Sequence, residues 1–185
     1  MLWPILLSLA MALSAAPAGN GETKAAFKDD ASIVYLGLFS NMEYTEEHAY
    51  GSDVELWRQD DRYFGLFSHS EGLAGDTPTG TLDDLKFDPI SGNLSFRAKL
   101  TTGDHYCKVH DGVPSRDLFK FKGKWAGKQI RGTLKTFDAL HPDDEPKVEK
   151  TVFKKTRDED WADLTTYGAW KKWVKDIFEF RGPKW

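Results

Sequence analysis

Strict alternation from Leu94 to Leu100 most narrows what this chain can fold into. Leu94, Phe96, Ala98 and Leu100 share one face, and Ser95, Arg97 and Lys99 share the other. That period of two belongs to a half-buried antiparallel strand. Leu118 to Lys122 repeats it, with Phe119 and Phe121 opposite Lys120 and Lys122. Further strand-like runs are Ser32 to Phe39, Asp53 to Arg58, Tyr63 to Ser68, Gly80 to Phe87, Gln129 to Phe137 and Val148 to Lys155. In the first, Val34, Leu36 and Leu38 are expected on one side, Tyr35 and Phe39 on the other. Gln59-Asp60-Asp61-Arg62 is a polar turn between two aromatic-rich runs, which predicts a hairpin. Asp88-Pro89-Ile90-Ser91-Gly92-Asn93 breaks the pattern again. Short intervals and the lack of any strand–helix–strand rhythm predict an all-β fold. About eight runs suit an antiparallel up-and-down barrel, with a β-sandwich as the alternative.

The two ends of the chain follow other rules. Ile5 to Leu13 is a short apolar run, and Ala16-Pro17-Ala18 supplies the small residues of a cleavage site before Gly19. The run is shorter than the ~20 apolar residues a bilayer span needs. Met1-Leu2-Trp3-Pro4 carries no Lys or Arg, but the abrupt polarity from Gly19 to Lys24 favours a signal peptide. The expected organisation is therefore a signal peptide over 1–18, a β domain over 19–157, and a helix with its tail over 158–185. Such a protein is exported, periplasmic or extracellular, with no integral membrane segment after cleavage.

Between Asp160 and Phe180 the period changes to that of a helix. Leu164, Tyr167, Trp170, Val174, Ile177 and Phe178 fall on one side, with Lys172, Lys175, Asp176 and Glu179 opposite. Asp158, Glu159 and Asp160 suit its N-terminus, and Gly182-Pro183 stops it. The reading is an amphipathic helix packed on the barrel. Trp170 and Trp173 beside Lys171 and Lys172 give a membrane-surface helix as the alternative. Terminal Trp185 and the alternating strands raise an outer-membrane barrel, in which Pro183 and this helix have no place.

Charge limits the partners. The chain has 25 Lys and Arg against 29 Asp and Glu, a net charge of −4 mixed in sign along its length. Nucleic acid requires a basic face to displace counterions, so no nucleic-acid partner is expected. Cys107 is the single cysteine, which excludes an internal disulfide.

A leader, a run of antiparallel hairpins and a terminal helix together resemble the lipocalin-like (calycin) secreted barrels. The first strand of those proteins carries Gly-x-Trp; here it reads Gly37-Leu38-Phe39, and a literal Gly-x-Trp occurs only later, as Gly123-Lys124-Trp125. The resemblance implies a barrel interior able to hold one small apolar or aromatic ligand. Trp57, Tyr63, Phe67, Phe96 and Trp125 are the aromatic positions expected to face that interior.

Chemistry-bearing clusters are few. His105-Tyr106-Cys107-Lys108-Val109-His110 places His105 and Cys107 on one face if extended, with His110 close behind. Imidazole and thiolate are ligands for zinc or copper, and Asp104 or Asp111 could orient an imidazole. The same groups could serve a metal-dependent or cysteine hydrolase, given a third orienting group. Asp60-Asp61, Asp83-Asp84 and Asp143-Asp144 are paired acids, but neighbours on a strand point apart and do not converge on a glycosidic bond. Asn93-Leu94-Ser95 is a glycosylation sequon at a turn. The leading expectation is a non-enzymatic ligand-binding barrel without a cofactor. A glycan- or protein-interaction module displaying aromatic side chains on one sheet face is the alternative.

Overall fold

The computed structural model describes residues 26–73, 77–156, 164–181 and 185, the side chains of 73 and 177–181 excepted. The signal-peptide segment 1–18 lies outside the described residues, as do the acids expected to open the helix, 158–160. The long strands are β1 (Val34–Ser40), with β2 (Glu43–Tyr44) a short flap, then β3 (His48–Gln59) and β4 (Arg62–Leu73). Next come β5 (Thr79–Thr81), β6 (Asp83–Phe87), β7 (Asn93–Leu100) and the small pair β8 (Asp104–His105) and β9 (Val113–Pro114). Then follow β10 (Asp117–Ala126), β11 (Gln129–Asp138), β12 (Lys147–Lys155) and one helix, α1 (Tyr167–Arg181).

The sheet runs β5-β4-β3-β1-β12-β11-β10-β7-β6, with every recorded pairing antiparallel. Its two outermost strands, β5 and β6, are consecutive in the chain, with only Leu82 between them. The segment leaves β4 after Leu66↔Thr81 and joins β7 at Asp83↔Arg97, so one bent stave closes the ring. Counted that way, the eight runs read from the sequence are the eight staves of a nearly closed up-and-down barrel. Gly80 sits where the walls meet: a Cβ there would lie 2.5 Å from the Lys99 carbonyl oxygen.

Alternation fills the interior. Phe39, Phe67, Phe96, Phe119, Phe121 and Phe153 point inward with Val54, Leu56, Leu94, Leu100, Ile130 and Leu134, all of them buried. At one point the wall comes close to the ring inside it. Gly123 pairs with Gly132, and Cβ atoms on them would fall 2.7 and 2.6 Å from Phe121 Cζ, so the ring occupies the space that side chains would need.

Three expectations change here. First, Tyr35 and Phe39 lie on opposite faces, because a bulge between Tyr35 and Gly37, with Gly37 at φ 125°, shifts the register. Second, Trp57 does not face the interior. It lies opposite Tyr35 and Phe64 on the outer wall, while Val54 and Leu56 take the inward positions. Phe67 and Phe96 are interior as expected, and Tyr63 and Trp125 meet Phe87 at the end of the barrel that carries the β3–β4 turn. Third, α1 begins at Tyr167, not Asp160. Thr166, just before it, bridges to Ser32, and its Oγ1 accepts the Ala169 N–H as an N-cap.

The helix covers the outer face of β1, β3 and β4. Trp170 and Val174 pack on Trp57, Phe64 and Leu66, flanked by Phe27, Ile33, Tyr35, Tyr167 and Trp173. Buried Gln59 anchors the entering chain by accepting the Lys28 N–H and donating to the Lys28 carbonyl.

Candidate metal centre

An up-and-down meander puts alternate loops at the same end. The β7–β10 loop, residues 101–116, and the β11–β12 loop, residues 139–146, therefore share one rim. Asp117, paired with Asp138 across β10 and β11, roots the first loop. Its Oδ2 accepts from the Ser115 and Thr102 hydroxyls at 2.6 and 2.8 Å. The Ala139 N–H donates to the Arg116 carbonyl at 2.7 Å and ties the loops together.

On this base the long loop forms the β8–β9 hairpin, which holds His105 opposite Val113. The chain then turns, with the His110 N–H donating to the Cys107 carbonyl at 3.2 Å. The turn aims the backbone N–H groups of Val109 and His110 at the Cys107 sulfur, and they, with His141, hold the thiol below its ordinary pKa. Asp138 ends β11. Its Oδ1 accepts the Leu140 N–H at 2.8 Å and its Oδ2 lies 2.8 Å from His141 Nδ1. That hydrogen bond raises the His141 pKa. Burial works to raise the Asp138 pKa, but the bonds from His141 and Leu140 and the nearby imidazoles bring it below the usual carboxylate value.

His141 Nε2 thereby faces Cys107 Sγ at 3.7 Å. Ligand atoms of His105, Cys107 and His141 all lie within 4.8 Å of one another. The His110 ring stands 5.2 Å from that of His141 and 6.2 Å from that of His105. All three groups are half-buried at the rim. Tetrahedral zinc, with bonds of ~2.3 Å to sulfur and ~2.0–2.1 Å to nitrogen, sets its S···N edge near 3.6 Å. The Cys107–His141 separation matches that edge. Asp138 on the far nitrogen of His141 is the carboxylate–histidine arrangement that fixes tautomer and ring orientation at metal sites.

Of the sequence cluster, His105 and Cys107 fall in the close group, while His110 stands beside it and His141 takes the third position. His141 and Asp138 were not anticipated. The orienting carboxylate is Asp138, whereas Asp104 meets the Tyr106 hydroxyl at 3.4 Å. The signal was Asp-x-x-His after a strand, in a loop whose rim is fixed by the meander alone.

Beneath the rim, a polar chain caps the apolar core. Buried His69 lies 2.8 Å from Ser52 Oγ through Nδ1 and 3.2 Å from Glu71 through Nε2, and Lys147 meets Glu71 at 2.6 Å. The His69 hydrogen bond, with Lys147 beside it, lowers the Glu71 pKa to about 2. Elsewhere, each described tryptophan is buried or half-buried, which leaves no tryptophan-bearing sheet face exposed among the described residues. Asp60 occupies the two-residue β3–β4 turn at φ 55°, and Asp84, at φ 49°, sits where the β6–β7 register shifts. No family model matches this chain, and no curated protein or solved structure does either.

Proposed function

We propose that this is an exported β-barrel protein that binds one zinc-class metal ion at its rim through His105, Cys107 and His141. The observation that carries the reading is the 3.7 Å Cys107–His141 separation, with Asp138 behind the imidazole at 2.8 Å. Mixed sulfur and nitrogen donors favour zinc or copper over magnesium or calcium. Three protein ligands leave a fourth position for water, a reactant or His110, the pattern of a site that exchanges ligands. Interior binding of a small apolar ligand, as the lipocalin-like resemblance implies, has less support because phenylalanine and leucine side chains fill that space.

A second reading uses the same atoms. Cys107, His141 and Asp138 stand in the order of a nucleophile, its base and an orienting carboxylate. The position of His105 against that group favours metal, since a thiol nucleophile has no need of a second imidazole.

Zinc titration against a chromophoric chelator separates the two. Metal binding predicts one equivalent per chain, lost in His141→Ala and in Cys107→Ala, with thiol alkylation blocked by zinc. No stoichiometric uptake, together with rapid alkylation that depends on His141, would leave the nucleophile reading in its place.

A further inference from the structure

The outer surface of the barrel divides into two walls of different chemistry. β1, β3 and β4 carry an apolar outer patch of Tyr35, Trp57, Phe64 and Leu66, covered by α1. The opposite wall, β7, β10, β11 and β12, is cationic, and among the described residues no helix covers it; Trp185 rests at its β7 edge against Lys99. From β7 it displays Arg97 and Lys99, and from β10 Lys120, Lys122 and Lys124, all exposed. Exposed Arg131 and Lys135 follow on β11, and Lys150 and Lys154 on β12. No outward position on these strands is acidic, although acids outnumber bases in the chain as a whole.

Register places like charges side by side. Lys120 lies directly between Arg97 and Lys135, and Lys124 lies opposite Arg131. Adjacent strands are ~4.8 Å apart, and like charges directly opposite destabilise a sheet. Among the described residues, only Arg97 in this set reaches a carboxylate, that of Asp84 at 2.5 Å. Apart from that pair, the like charges of this wall stand side by side without a carboxylate among the described residues.

The form of the wall selects its partner. Lysine predominates, a point charge without the two-pronged fork that reads individual phosphates. The surface is the convex side of a barrel, not a groove. Both aromatic rings at this wall are engaged by lysines, Phe137 under the Lys120 ammonium at 4.3 Å and half-buried Trp185 under that of Lys99 at 5.1 Å, rather than set out as a stacking platform for bases. Val148 and Val152 are exposed between the lysines of β12. A cationic field several strands wide, with small apolar side chains in it, complements a plane of negative charge. We propose that this wall docks the protein onto a bilayer surface rich in anionic phospholipid. The attraction is independent of the rim site and of α1, and the charges act together within a Debye length of ~8–10 Å.

The test is co-sedimentation with vesicles of phosphatidylcholine and phosphatidylglycerol in equal parts, against phosphatidylcholine alone. Binding is expected only to the anionic vesicles and should fall steeply with added salt. The triple variant Lys120→Gln/Lys122→Gln/Lys135→Gln should bind about 100-fold more weakly, at roughly fivefold per lysine. Its melting temperature should not fall, because the substitutions relieve repulsion. Lys172→Gln/Lys175→Gln, on the helix side, should bind as the parent does. Absence of binding, equal binding to neutral vesicles, or no loss in the triple variant would overturn the proposal. Tighter binding of a DNA duplex than of the vesicles, lost in the same triple variant, would assign the wall to nucleic acid instead.

Discussion

Trp170→Ala tests whether α1 is part of the folded unit. Trp170 is 4% exposed, its ring centroid 4.7 Å from Phe64, 5.6 Å from Tyr167 and 5.9 Å from Trp57. A buried aromatic of this kind removes ~150–250 Å² from water, an upper bound of ~4–6 kcal/mol at ~25 cal/mol per Å². The helix lies on an outer wall and can settle partway into the space left behind, which lowers the expected loss to about 3–4 kcal/mol. At ~2–4 °C per kcal/mol for a domain of this size, the melting temperature should drop by roughly 10 °C. Thermal unfolding followed by near-ultraviolet dichroism, paired with urea titration, measures both quantities. The exposed Lys175→Ala is the control and should stay within ~0.5 kcal/mol of the parent. A Trp170→Ala shift no larger than that of the control would refute the docking energetics and favour a membrane-surface role for the helix.

Other expectations are as direct. Gly132→Ala should destabilise by about 2–3 kcal/mol in urea titration, since its Cβ would lie 2.4 Å from the Lys122 carbonyl oxygen and 2.6 Å from Phe121 Cζ. Asp138→Asn should weaken zinc affinity ~10–100-fold while leaving the ligands in place, read by chelator competition. Glu71 supplies a pH dependence: its folded pKa of about 2 lies below its unfolded value, so its contribution is present above ~4.3 and lost as pH falls toward 2. The carboxylate is 54% exposed, which discounts that contribution to about 1 kcal/mol. Glu71→Gln should therefore lower stability at pH 7 and flatten the acid limb between about pH 4.5 and 2.

The staves were legible because each depends on local alternation. Leu94 to Leu100 reads correctly residue by residue, and closure required only that the run Gly80 to Phe87 bend at Leu82. What failed were positions where one residue resets parity. Gly37 looks like an ordinary strand residue until its positive φ inserts a bulge, and Tyr35 then changes sides. Trp57 was misassigned for a related reason. A large aromatic on a strand signals burial without saying against what, and this barrel has apolar partners on both sides of β3. The start of α1 at Tyr167 is set by Thr166, whose capping hydroxyl has no signal in the periodicity, whereas Asp158, Glu159 and Asp160, which drew the sequence reading, lie outside the described residues.

The site and the cationic wall were hidden for a different reason, because both are products of topology. Cys107 and His141 are far apart in sequence and meet only because β7–β10 and β11–β12 turn at the same rim. The wall is subtler still. Along the chain, Lys120, Lys122 and Lys124 alternate with Phe119, Phe121 and Gly123 as any half-buried strand does. Each strand alone looks like a solvated edge of mixed charge. Only the register, which sets Arg97, Lys120 and Lys135 in one row, turns separate strands into a single field. A net charge of −4 was therefore a poor guide to surface chemistry: it averages over walls that the barrel keeps apart. The same topology sets the rim loops at one end of the cationic wall, since β7, β10, β11 and β12 carry both, so an anionic surface that attracts the wall would hold the proposed metal site beside it.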